Sequence, residues 1–193
     1  MTVFLILAPY ATFTLLMLVT SAALSVFASA AICVAVIVTD VVRGRAVKML
    51  GAGSVVLFVA LGCYLALVDS TLSSWAVKLT VDAGMLAIAL TSLLIRRPFT
   101  LQYALEMVDA ETAALPGFIN ASYIITGAWT AAFLLMMLSN VLMIYVPGLP
   151  LWSGLLILFA ARNSALYFTR WYPRYLKTKF AAPAASAGAL SGS

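Results

Sequence analysis

The chain of 193 residues is 65% hydrophobic and only 9% charged, where an ordinary soluble domain carries roughly a quarter charged residues. A water-facing surface cannot be built from that composition, so lipid is the expected surrounding medium. The net charge of +5, from 11 Lys plus Arg against 6 Asp plus Glu, is concentrated at the ends of apolar runs, which fits membrane topology and excludes a nucleic-acid groove.

Residues 3–39 carry no charge. As one helix they would be about 55 Å long at 1.5 Å per residue, well beyond a hydrocarbon core of about 30 Å. The run must therefore turn, and the spacing predicts spans over 3–19 and 21–39 with the break near Thr20 and Ser21. Pro9 interrupts the first piece, which leaves a re-entrant segment as the rival to a full crossing. A basic loop, Asp40 to Lys48, leads to a third span over 49–68, whose far end is set by Asp69. After a short polar connection, Trp75 stands at an interfacial position and a fourth span covers 76–95. It stops at Arg96 and Arg97, with Pro98 as a breaker.

Residues 99–115 read differently. Leu101, Ala104, Leu105, Val108 and Leu115 recur at helical spacing while Gln102, Glu106 and Asp109 fall opposite, which predicts one amphipathic helix on the same side as the two arginines, ended by Pro116 and Gly117. An acidic face of Glu106, Asp109 and Glu111 suits basic loops or a protein partner better than anionic lipid, and a plainly solvated face is the alternative. Spans over 121–144 and 151–171 follow, with Tyr145 and Trp152 flanking the turn between them and Trp171 at the far interface. The Ala-, Ser-, Gly- and Pro-rich tail, 181–193, is expected to be disordered.

The expected fold is thus all-α: a polytopic transmembrane bundle of six spans, five if the first is re-entrant, plus an amphipathic helix, all within a single domain over 1–180. Nine of the eleven basic residues lie in the loop after span two, the loop after span four and the C-terminal segment. The positive-inside rule places that side and the C terminus in the cytosol. A cleavable signal peptide is not expected, since no basic n-region or polar mature domain is present.

Cys33 and Cys63 differ in expected depth by about 12 Å, which argues against a disulfide. Without histidine, no zinc or haem site is expected, and no cofactor. No nucleophile stands beside a base and no paired carboxylates occur, so no enzyme is expected. The polar residues that stand out are Arg162 and Asn163 in the middle of the last span, where a central arginine costs about 2.5–3.5 kcal/mol on insertion scales. Asp82 in span four is the obvious acid to pair with Arg162, with Lys78 one turn earlier. These residues with Asn120 and Asn140 form either a buried lock between helices or a polar path across the membrane. Glycines at Gly53, Gly62 and Gly84 read as ordinary packing.

Several short features resemble the bacterial inner-membrane septation protein A family: Pro9 in the first apolar segment, VVRGRAVKM at Val41 to Met49, Trp75 with Lys78, and Arg96-Arg97-Pro98. Leu115-Pro116, Asn120, Trp129, Asn140, Pro150 and Trp152 continue the similarity to about Tyr175. RRPFTLQYA at Arg96 to Ala104 and WYPRY at Trp171 to Tyr175 look more like a related group of uncharacterised bacterial membrane proteins. The resemblance implies a multi-pass inner-membrane protein with a structural or scaffolding role in the cell envelope or division machinery. The bilayer would be its partner, together with other membrane proteins or a second copy of itself. A small channel or transporter with a path through Asp82 and Arg162, or an accessory subunit of a larger membrane complex, are the alternatives.

Overall fold

A computed structural model describes residues 2–146 and 148–190, with side chains over 9–146, 148–150 and 152–179. Eight α-helices follow one another among the described residues: α1 (Thr2–Val19), α2 (Ala22–Val42), α3 (Met49–Leu67), α4 (Ser74–Leu94), α5 (Phe99–Ala104), α6 (Ala110–Ala113), α7 (Pro116–Tyr145) and α8 (Leu151–Leu190). A 3-10 turn, Leu105–Met107, follows α5. Helices satisfy every backbone donor and acceptor within the segment, the one requirement that hydrocarbon imposes on an open chain. Four of them, α2, α3, α4 and α7, are long and apolar enough to cross a membrane.

The long apolar run at the N terminus does break where expected. Thr20 closes α1 by donating its hydroxyl to Leu16 O at 2.9 Å, and Ser21 opens α2 as its N-cap, accepting from Leu24 N. A serine cap thus provides the break that no glycine or proline marks. Pro9 lies within α1, which continues past it. At the other end of α2 the helix runs on to Val42, three residues beyond the expected limit.

Two expectations are corrected. The amphipathic helix over 99–115 is not continuous: α5 ends at Ala104, Val108 is extended (φ −132°, ψ 159°), and the Asp109 side chain caps a new short helix by accepting Thr112 N at 2.8 Å. The cap competes locally with a through-going helix and wins. Pro116 does not end that segment but occupies the first turn of α7, where its missing N–H costs nothing and its fixed φ suits a helix start. α7 consequently begins five residues before the expected span. The structure also draws α8 as helix through Leu190, into the segment expected as a disordered tail; alanine, the strongest helix former, dominates there. Residues 191–193 of that tail lie outside the described residues.

The bundle is built largely from neighbours in sequence: α1 lies against α2, α2 against α3 and α3 against α4, while α4 packs on α7 and α7 on α8. α5 lies against α7, held by Thr100, whose hydroxyl meets Thr126 Oγ1 at 2.7 Å and Ser122 O at 2.8 Å. The core contains Phe13 and Phe58, with ring centroids 5.7 Å apart, together with Val26, Val77, Val81, Phe133 and Met136. Outside it, Leu67, Leu94 and Val42 are each at least 80% exposed, an arrangement that water would penalise and lipid accepts.

α3 and α4 interlock through glycines. Ile88 of α4 covers Gly53 so closely that a Cβ there would come within 2.8 Å of it, and Leu57 of α3 covers Gly84 more tightly still. Phe27 of α2 rests on Gly62 in the same manner. These glycines are therefore specific contact points rather than the ordinary packing that their spacing suggests.

Candidate functional site

Asp82 lies on the face of α4 that also carries the fully buried Val77 and Val81, and is itself 2% exposed. A carboxylate in such a place needs polar partners for both oxygens. Tyr10 of α1 donates its hydroxyl to Oδ1 at 2.6 Å and Asn140 of α7 donates Nδ2 to Oδ2 at 2.6 Å. Both partners are buried. The Tyr10 hydroxyl also lies 3.6 Å from Met136 Sδ. One side chain thereby ties together α1, α4 and α7, which are far apart in sequence.

Lys78 lies one turn earlier on α4 and shares with Tyr10, Asp82 and Asn140 a cavity of about 20 Å³, room for about one water molecule. Its ammonium sits 4.6 Å from the centroid of the Trp75 ring, a cation–π contact that holds the charge over an aromatic face. Arg162 stands on α8, whose Leu155 and Leu158 line the same cavity. No ion pair joins it to Asp82 among the described residues, which corrects the expected partnership: Tyr10 and Asn140 already serve the carboxylate. The Arg162 Nε atom is buried without a hydrogen-bond partner.

The remaining residues singled out from sequence are dispersed. Asn163 is exposed and donates to Phe159 O of its own helix at 2.8 Å, and Asn120 is exposed near the start of α7. Trp152 is exposed, and Trp171 stacks on Tyr175 with centroids 5.1 Å apart. Arg96 and Arg97 are exposed. Arg96 takes the left-handed conformation (φ 56°) that ends α4, and its carbonyl accepts the Tyr123 hydroxyl at 2.8 Å.

A second cluster sits at the ends of α2 and α3. Lys48, only 5% exposed, bonds Asp40 Oδ2 at 2.8 Å and Glu106 Oε1 at 2.9 Å, and its ammonium faces the Tyr103 ring. Arg45 reaches the other Asp40 oxygen at 3.3 Å. Burial pushes the Lys48 ammonium down, but the bonds to Asp40 and Glu106 outweigh it and leave the pKa above its ordinary value. Gln102 accepts Met49 N at 2.7 Å and so caps α3 from another element. Of the acidic trio, then, Glu106 meets a basic residue of the α2–α3 loop, Asp109 caps α6 and Glu111 is exposed.

Tyr10, Lys48 and Gln102 are the site residues that sequence reasoning passed over. A tyrosine hydroxyl inside an apolar run must find an acceptor, and that requirement was the available signal for Tyr10. Among the described residues no group of three cysteine or acidic side chains is placed to hold a metal ion. Cys33 is buried and Cys63 exposed, both as free thiols. In comparisons with known proteins, no family model, no curated protein and no solved structure matches the chain.

Proposed function

We propose that this chain is a non-enzymatic bacterial inner-membrane protein that serves as a structural or scaffolding component of the cell envelope or division machinery, as its resemblance to septation protein A implies. In this reading α1 and α8 cross the bilayer together with the four helices of sufficient length and apolarity, for six spans. The loops bearing Arg43, Arg45, Arg96 and Arg97 then face the cytosol, with the C terminus on the same side.

The observation that carries a scaffold over a transporter is the closure around Asp82. Its oxygens are engaged by Tyr10 and Asn140, it is 2% exposed, and the adjoining cavity holds about 20 Å³. A conducting path needs polar groups that face continuous water, whereas Asn120 and Asn163 are exposed and line no part of this cavity. The polar residues are better placed to lock helices than to pass a solute.

The test is a photocrosslinking residue placed at the exposed Glu111 in native membranes. A scaffold yields a small number of discrete adducts with other envelope proteins, identifiable by mass spectrometry. An adduct-free protein whose reconstituted vesicles pass ions or small solutes above protein-free vesicles would overturn the reading.

A further inference from the structure

Beside the Lys48 cluster lies a chamber of about 280 Å³ bounded by α1, α2, α3 and Tyr103 of α5. Its size stands just under the 300–1,000 Å³ typical of small-molecule sites. Its wall changes character with depth. Cys33, Val36, Ile37 and Leu50 form an apolar interior, whereas Asp40, Arg43, Arg45 and Lys48 gather at the loop end.

The charges there are unequal in their commitments. Lys48 is taken up by Asp40 and Glu106, which leaves it a structural role. Arg45 is joined to Asp40 by a single contact at 3.3 Å and is more than a third exposed. Arg43 is exposed, and its guanidinium has no hydrogen bond or ion pair among the described residues. Lining the chamber are three cations and one carboxylate, so an uncompensated positive charge stands at the mouth of an apolar hollow. The first turn of α3 adds Leu50 and Gly51 to the wall.

We propose that this chamber binds an anionic phospholipid, with the phosphate held by the guanidiniums of Arg43 and Arg45 and the first part of one acyl chain inserted among Val36, Ile37 and Leu50. Guanidinium forks match phosphate oxygens in geometry and charge, and basic pockets between membrane helices are the established setting for such headgroups. The volume accommodates a chain segment rather than a whole lipid, which leaves the rest of the molecule in the bilayer. A free phosphate ion shares the headgroup chemistry but has no use for the apolar interior. The proposal does not depend on the scaffold reading.

The experiment measures lipid retained by the full-length protein in detergent, by native mass spectrometry, with phosphatidylglycerol, phosphatidylcholine and inorganic phosphate offered separately and in competition. The expected result is a preference of about tenfold or more for phosphatidylglycerol over phosphatidylcholine, lost in an Arg43→Ala, Arg45→Ala double variant. Val36→Trp, which fills the interior and keeps both arginines, loses the lipid as well. Equal retention of the two lipids, or unchanged binding in the arginine variant, overturns the proposal. Displacement of the lipid by equimolar inorganic phosphate also overturns it, since the chain would then contribute nothing. Both arginines lie on an exposed loop, so the double variant remains decisive even if Val36→Trp does not fold.

Discussion

Asp82 illustrates how a buried carboxylate is made tolerable. Tyr10 and Asn140 each supply a proton at 2.6 Å, and the loss of the acceptor would strand two buried donors at a cost of about 1–3 kcal/mol each. Asp82→Ala is expected to lower the unfolding midpoint of the detergent-solubilised protein markedly, and Tyr10→Phe to lower it less. Because both remove the same bond, the double variant should be less destabilised than the sum of the two; strict additivity in thermal unfolding would show that the bond contributes nothing. Asp82 and Asn140 were legible as intramembrane polar residues that required partners. Their actual grouping was not, because Tyr10 lies 72 residues away and a tyrosine in an apolar run reads equally well as an interfacial anchor. Arg162 drew attention as the opposite charge, yet the two oxygens of Asp82 are taken by neutral donors, Tyr10 and Asn140, which opposite charge does not reveal.

At the level of elements, the length of the apolar runs and the charges that bound them located every long helix, and the differences arose at their ends, where single side chains decide. Ser21 and Asp109 act as caps, and Pro116 starts a helix where a stop was expected. Asp109, a favoured N-cap residue, was a readable signal for a restart, outweighed in the sequence reading by the apolar spacing of Leu101, Ala104, Leu105 and Val108. Caps made in trans, such as Gln102 on Met49 N, cannot be read locally at all. The glycine contacts between α3 and α4 belong to this scale too. Gly84→Val would drive a branched side chain into Leu57, and overpacking of this kind costs about 1–3 kcal/mol. The expected outcome is a lower midpoint of thermal unfolding, while Gly127→Val, at a position with open space, should change it little.

For the molecule as a whole, composition alone identified the medium, because an exterior carrying residues such as Leu67 and Leu94 at more than 80% exposure has no other stable surroundings. The placement of the basic loops yields a direct expectation. In a background with Cys33 and Cys63 replaced by alanine, a cysteine at Ser70 should react with a membrane-impermeant maleimide on intact cells, and one at Arg45 only after permeabilisation. The reverse pattern would invert the topology. The engagement of α3 with α4 sets a limit on motion at this scale. Ile88 seats on a glycine of one helix while Leu57 seats on a glycine of the other, like two teeth meshed from opposite racks. Sliding by one helical turn, about 5.4 Å, would require both to disengage at once. Any rearrangement that preserves these contacts therefore moves α3 and α4 as one body, and the bonds of Asp82 to Tyr10 and Asn140 carry α1 and α7 along with that hairpin.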